Sequence, residues 1–484
     1  MNIRAIWIAA FVVLFIRFIT LNDYALTDTT EARYGEVARV MAETDQWIMP
    51  QLVPGEPFWA KPPLSFWQGA VSVKALGVSE FALRLPAFLN FLGVLFLTYM
   101  FAKALASKQL PGLSVLIAAS TVTGLVVSGG VMTDLSMLLG TTLCFLSFWM
   151  WLSDGGQKWA YAFTFGLVVA LLAKGPIAIV LALGPVAIWI TLMKQWLRIW
   201  SKFPVLNCLV LFFLFGVPWF LIAEHVSPGY LHYYFVGEHI YRYLVPGWEG
   251  DLYGSAHQEP YGKIWVFAVL AFMPWTIFIF LGVVTKLNFS SHKKRLFRGW
   301  AITNSGMELY LLLWVVWPLI FFTLAGNILH TYVLTGLPAF AILTALFIDK
   351  KFNHKLIASV AVILPISLLV ALPLGLEAKL ATKSQKASIN YVKTNWPDAK
   401  IIYVGSIPHS ARYYSRGEAL VEPDIFNLKT RLMNSENQVI FVKKGVAFKN
   451  GTPLRPIKEL ESRRYQGYVI DSINQSHFAI GKAS

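Results

Sequence analysis

Long apolar runs separated by short polar stretches fill most of the chain, and the rhythm breaks only near residue 380. Apolar runs lie at about 3–21, 81–104, 110–130, 132–153, 159–174, 176–194, 205–223, 263–286, 307–325, 331–349 and 355–376. Roughly 20 apolar residues cross a bilayer as a helix. The pattern therefore predicts a polytopic α-helical membrane protein, with about 11–13 transmembrane helices over residues 1–378. The first run follows MNIR and leads into FITLNDYALTD with no small-x-small cleavage site, which predicts an uncleaved span. Beyond Leu380 the period changes. AKIIYVGSI, QVIFVKKG and GYVIDSI read as strands, and KSQKASINYVKTNW and DIFNLKTRLM as amphipathic helices. Residues 379–484 are thus expected to form a small C-terminal α/β domain.

Charge then orients the chain. Lys and Arg outnumber Asp and Glu by 41 to 26, a net +15, in a sequence that is 56% hydrophobic. In a soluble protein that excess would suggest nucleic acid. Here Lys103, Lys108, Lys158, Lys194, Arg198, Lys202, Lys286, Lys350, Lys351, Lys355 and the run SSHKKRLFR all fall in alternate short loops. That is the positive-inside pattern of a multi-pass protein with a cytoplasmic N-terminus, so membrane lipids and not nucleic acid are the expected partners. An odd number of spans places the tail on the extracytoplasmic side. Cys144 and Cys208 both sit inside apolar runs and form no disulfide framework.

With this topology the unusual polar residues gather on one face. The first extracytoplasmic loop, 22–80, carries Asp28, Glu31, Arg33 and Lys61. Asp134 begins the fourth span, and Lys174 lies in the LLAKGP turn. Glu238, His239, Arg242 and His257 belong to a second large loop, 225–262, and His330 and Tyr332 to GNILHTY. Ionisable groups at membrane depth are costly and usually mark a working site, and here five separate segments contribute them.

Each motif has a plainer alternative. Asp28 or Thr29 can cap the helix that follows, or Asp28 and Glu31 can act as acid or base while Arg33 grips a phosphate. Lys61 precedes Pro62 and Pro63, which open a helix and hold the lysine at an anion-attracting end; the alternative is a lysine snorkelling among interface aromatics. Trp59, Phe66 and Trp67 read as anchors or packing. Asp134 is either a cap or an intramembrane acid. Glu238 and Arg242, one turn apart, are either a helix-stabilising pair or, for Arg242, a phosphate ligand. The adjacent Glu238 and His239 lack metal-ligand spacing. No P-loop, dinucleotide fingerprint or GxSxG elbow occurs. A transferase facing away from the cytoplasmic nucleotide-sugar pool needs a donor carried across on lipid.

The stretch DTTEARYGEVARVMAETDQWIMPQL…PFWAKPPLSFWQGAVSVKALGVSEFALRLPAFL resembles the signature region of the bacterial aminoarabinose transferase and protein O-mannosyltransferase superfamily, of the GT-C type. LLAKGP, GVPWF, EHIYRY, HQEPYGKIWVFAVLAFMPW and NILHTYVLTGLPAFAIL follow in family order. The resemblance implies an inverting glycosyltransferase. Its donor would be a sugar on polyprenyl (undecaprenyl) phosphate, and its acceptor lipid A or another envelope glycan or lipid. It implies Asp28 and Glu31 as the acidic pair of the first loop, acting as acid or base, and Asp134, an intramembrane acid by its own position, joins them as a catalytic candidate. Arg33, Lys61, Arg242 and Tyr332 would sit near the donor phosphate, and Lys174, Glu238, His239, His257 and His330 elsewhere in the pocket. The family's acidic residue before the Lys-Pro-Pro corner is replaced by Ala60, so a divalent metal at His239 or His257 is not firmly implied. A protein O-glycosyltransferase and a transporter or flippase of polyprenyl-linked sugars are the alternatives.

Overall fold

The structure is a computed structural model that describes residues 3–105, 110–254, 257–287, 306–349, 352–423, 438–445 and 456–470. The predicted helix DIFNLKTRLM and the basic run SSHKKRLFR lie outside these residues, as do Lys108, Lys350 and Lys351.

Every predicted apolar run forms helix, from Ile3–Ile19 to His354–Ala371. Among the described residues, five helices are long and apolar enough to cross a membrane, and seven if two bent pairs each count as one span. One of the predicted spans needs correction. The run 263–286 splits into Lys263–Ala271 and Trp275–Leu281, which meet at 104°. Pro274 supplies no amide donor at the break and its ring clashes with the preceding turn. The second bend, of 113°, follows Pro176–Leu192 and leads into the short helix Trp196–Lys202. There Leu197 and Trp200 are exposed beside Arg198 and Lys202, as in an interfacial helix.

The helices Asp134–Asp154 and Gln157–Lys174 form an antiparallel hairpin, turned at Gly155 with φ 70°. They touch backbone to backbone. A Cβ on Gly140 would stand 2.6 Å from the Ala170 nitrogen, and one on Gly166 would stand 2.7 Å from the Gly140 oxygen. Such small-residue contacts let spans pack closely without a hydrophobic driving force between them. Because the hairpin is tight and its arms similar in length, the start of the first arm and the end of the second finish side by side.

The polar first loop folds as a wall. Helix Thr30–Thr44 buries Ala32, Val37, Ala38 and Met41 against Phe66 and Ala70 of helix Leu64–Leu76. Tyr34, Phe58 and Phe66 meet edge to face beneath it. Phe66 is buried, Trp59 donates to Ser227 Oγ at 2.9 Å, and Trp67 donates to the Trp47 carbonyl at 2.6 Å, so these aromatics are packing. The tail holds a four-stranded sheet: Lys400–Val404 pairs in parallel with Leu420–Glu422 and Gln438–Lys443, and Tyr465–Ile470 closes one edge antiparallel. Helices Lys386–Asn395 and His409–Ser415 cover it.

Candidate active site

One cavity of about 430 Å³ opens between the first-loop wall, the Gly140–Gly166 hairpin and the 225–262 segment. All twelve predicted site residues line it: Asp28, Glu31, Arg33, Lys61, Asp134, Lys174, Glu238, His239, Arg242, His257, His330 and Tyr332. What each side chain does there is more specific than the pattern foretold.

At the hairpin mouth Lys174 Nζ donates to Asp134 at 2.6 Å and stands 5.1 Å from the Tyr332 ring centroid. Asp134 makes no cap. Thr133 is the cap position and bonds no amide through its side chain. Within the 225–262 segment a π-helical stretch, His232–Tyr241, runs into Arg242–Leu244. Widened turns of this kind recur at working sites. This one aims Glu238 at the first loop, where its carboxylate accepts from Lys61 Nζ at 2.9 Å and from Arg242 at 3.1 Å. Tyr233 Oη donates to it at 3.3 Å. Lys61 is therefore neither snorkelling nor free at a helix mouth. It is one of two cations sharing a carboxylate.

Burial alone would raise the Glu238 carboxyl, but the Lys61 and Arg242 charges outweigh it and hold the group down at about 2. Lys61 moves the opposite way: burial opposes its charge, yet Glu238 lifts its pKa above the usual lysine value. Arg242 also faces Asp251 at 3.4 Å. Its backbone is stapled by Asn327, whose side-chain amide donates to the carbonyls of Arg242 and Val245, both at 2.7 Å, and accepts from Gly247 N at 2.9 Å.

On the first-loop wall, Glu31 accepts from Arg84 Nε at 2.8 Å and from Thr27 N at 3.1 Å. The Asp28 carboxylate accepts from the backbone N–H of Ser410 at 2.9 Å and from the Ser410 hydroxyl. Thr29 occupies the N-cap position of Thr30–Thr44 without a side-chain bond, so neither Asp28 nor Thr29 caps that helix. Burial raises the Asp28 pKa above its ordinary value even though Ser410 opposes the rise. Arg33 donates to the Tyr253 carbonyl, and among the described residues its buried Nε has no partner, nor has Arg242 Nε.

Two of the cavity histidines lie at its rim and one is partly buried. His239 Nδ1 donates to the Tyr234 carbonyl at 2.7 Å; burial lowers its pKa, against the pull of that carbonyl. His257 and His330 are exposed at the rim. Ala60 offers no carboxylate, and among the described residues no group of three or more His, Cys, Asp or Glu side chains can hold an ion.

Three participants escaped the sequence reading. Asp251 lies nine residues past Arg242, two beyond Glu249, and was discoverable as one of the acids of that segment. Tyr253, whose hydroxyl accepts from Trp59 N at 2.9 Å and donates to the Pro57 carbonyl at 3.0 Å, and Ser410 gave no local signal.

The chain combines a multi-pass helical fold with a charged cavity under a polar first loop. Over 96% of this chain and 98% of its own length, ArnT from Cupriavidus metallidurans, bound to undecaprenyl phosphate, superposes with a TM-score of 0.76 at 15% identity. An Archaeoglobus fulgidus oligosaccharyltransferase superposes more loosely, with a TM-score of 0.51 at 12% identity, over 91% of this chain and 69% of that one. Residues 3–234 match the family described as dolichyl-phosphate-mannose-protein mannosyltransferase. Undecaprenyl phosphate-alpha-4-amino-4-deoxy-L-arabinose arabinosyl transferase 2 of Proteus mirabilis is 29% identical over 367 residues, 73% of this chain and 61% of the relative. The corresponding transferase of Aeromonas hydrophila is 26% identical over 348 residues, 70% of this chain and 58% of the relative. The chain thus spans less than two thirds of the length of these curated relatives. In sequence it is similar to aminoarabinose transferases and to the protein mannosyltransferase family, and in fold to ArnT.

Proposed function

We propose that this chain is an inverting membrane glycosyltransferase that moves a sugar from undecaprenyl phosphate to an extracytoplasmic envelope acceptor, lipid A first among them. The donor class is the one named for the Proteus and Aeromonas relatives. The single observation that carries the reading is the cavity itself. Three separate segments bring four cations to one hollow, and among the described residues two of those, Arg33 and Arg242, keep a buried N–H without a partner. A buried unpaired donor is expensive, and a lipid phosphate entering from the bilayer would satisfy both.

In the proposed reaction an acceptor oxygen attacks the anomeric carbon from the face opposite the phosphate. The bond between that carbon and the phosphate oxygen breaks, and its electron pair leaves with undecaprenyl phosphate. Arg33, Arg242 and Lys61 stabilise the negative charge that develops, in a site poor in water. A hydroxyl acceptor gives its proton to a carboxylate, and we assign Asp28 that role because Glu31, Asp134 and Glu238 each already face a cation. A phosphate acceptor needs no such base. The cavity faces the periplasm and the chain resides in the bacterial inner membrane, as the distribution of Lys and Arg among the loops suggests.

The test compares lipid A and surface glycans by mass spectrometry in cells with and without the gene, together with transfer by purified protein from undecaprenyl phosphate-linked 4-amino-4-deoxy-L-arabinose. A glycosyl mass increment that depends on the gene is expected. An unchanged envelope together with no measurable binding of undecaprenyl phosphate would overturn the reading.

A further inference from the structure

The carboxylate assigned as base is held from the far end of the chain. Ser410 is wholly buried and is the second residue of the helix His409–Ser415, which packs on helix Thr30–Thr44 of the first loop. Its backbone N–H donates to Asp28 Oδ1 and its hydroxyl to Asp28 Oδ2, so one residue engages both carboxylate oxygens. The hydroxyl is itself oriented, because its oxygen accepts from Gln385 N at 3.1 Å. The Gln385 side chain in turn accepts from Tyr403 Oη at 3.0 Å and donates to Ser462 Oγ at 2.8 Å. A buried hydrogen-bonded chain therefore runs from the sheet of the tail to the cavity wall. The main chain is tied as well: Asp28 N donates to the Lys383 carbonyl at 3.0 Å, and Tyr414 Oη bridges Leu26 N and Glu80 at 2.7 and 2.9 Å.

We propose that the C-terminal module is part of the catalytic unit, with Ser410 as the positioning residue that fixes the Asp28 carboxylate toward the cavity. The inference rests on the assignment of Asp28 above and gives the tail a task inside the site. An ionised carboxylate has about four lone-pair directions. Ser410 occupies two, which leaves room for an acceptor hydroxyl while removing rotational freedom. Both bonds favour the charged form over the neutral one, against the burial that raises the group. The other titratable groups around Asp28 are His409, Tyr403, Tyr465 and Arg464 of the tail and Glu31 and Arg33 of its own loop. Among them His409 is kept neutral, its pKa pushed down to about 4 by burial and then by Arg33.

The test uses the full-length protein, undecaprenyl phosphate as binding probe and the lipid-linked aminoarabinose as donor. Ser410→Ala should lower kcat about 10- to 100-fold, the cost of one bond to a charged group, with undecaprenyl phosphate affinity unchanged. The acidic limb of its pH–rate profile should move up by about one pH unit, because the lost bond favoured the ionised base. Ser410→Cys keeps the shape and weakens the donor; it should shift the limb in the same direction and carries the test if the alanine variant does not fold. Wild-type kcat with an unmoved limb in both variants would overturn the inference while leaving Asp28 intact. Wild-type turnover by Asp28→Asn would instead remove the base from the proposed function. Should no turnover occur with this donor, a double-mutant cycle on Tm still decides: coupled losses for Asp28→Asn and Ser410→Ala support the hold of Ser410 on Asp28, and additive losses refute it.

Discussion

Arg84 and Arg33 flank the same helix and carry the same five donors, yet their surroundings are opposite. Arg84 is fully buried and spends its guanidinium on Glu31 at 2.8 Å, on the carbonyls of Leu21 and Tyr24 at 2.8 and 2.7 Å, and on Ala25 at 3.3 Å. It also lies 3.8 Å from the Tyr24 ring centroid. Arg33 has the Tyr253 carbonyl, the faces of Tyr34 and Phe58 at 5.6 and 6.0 Å, and an unpartnered Nε. Among the described residues no carboxylate pairs with it. One arginine ties the wall together and the other leaves donors for something that is not protein. Residue type does not separate the two cases; the number of satisfied donors does.

The most severe way to break this contrast is Arg84→Ala. It strands the Glu31 carboxylate and three carbonyls in a closed space, and loss of one partner from a buried pair costs about 3–5 kcal/mol. Tm in detergent should fall steeply, and donor binding should fall only as the folded fraction does. A folded, stable variant that merely binds undecaprenyl phosphate poorly would put Arg84 in the site and erase the distinction.

Glu238 is the intermediate case, a carboxylate between two cavity cations. Its carboxyl is held below the ordinary value, down to about 2. The stability it contributes is therefore fully present above the ordinary carboxylate range near pH 4.5 and is lost as pH falls toward 2. Glu238→Gln should cost about 2–3 kcal/mol at neutral pH, by a margin that stays flat from pH 8 to 5 and closes only below. The same variant frees Lys61 and Arg242 and should tighten undecaprenyl phosphate several-fold. Tm measured against pH for both proteins checks the first statement. A margin already gone at pH 5 would mean that the three-residue cluster does not hold.

Much of this was legible in the sequence because the bilayer is a strict solvent. It forces apolar length into helices and makes each misplaced charge conspicuous, so the cavity could be assembled from Asp28, Lys61, Asp134, Lys174 and Arg242 before any coordinates. What stayed hidden were partners. Asp134 with Lys174 follows from two glycines at a helix crossing, and Glu238 with Lys61 from a π-helical stretch; neither is written in spacing. The break before Trp275 needed the bend itself, since Pro is tolerated in membrane helices. Ser410 reaches Asp28 across 382 residues, a separation at which no periodic or local signal survives.

The gentlest substitution is also the one that sharpens the comparison most. Arg33→Ala removes no ion pair with a described carboxylate, and the side chain it deletes is only partly buried. Tm should therefore stay within a few degrees of the wild type, while the Kd for undecaprenyl phosphate rises about 10- to 100-fold, equivalent to about 1.5–3 kcal/mol for a bond to a charged group. Arg33→Lys should recover only part of that affinity, because a point charge cannot reproduce the planar fork that matches a phosphate. The loss should also shrink as salt is raised only if the phosphate contact is open to solvent; in a buried cavity the ratio of mutant to wild-type Kd should stay nearly constant from low to high ionic strength. Binding of undecaprenyl phosphate in detergent at two salt concentrations measures all three. A variant that binds normally, or that loses as much stability as Arg84→Ala, would show that free donors in this cavity do not mark where the lipid phosphate sits.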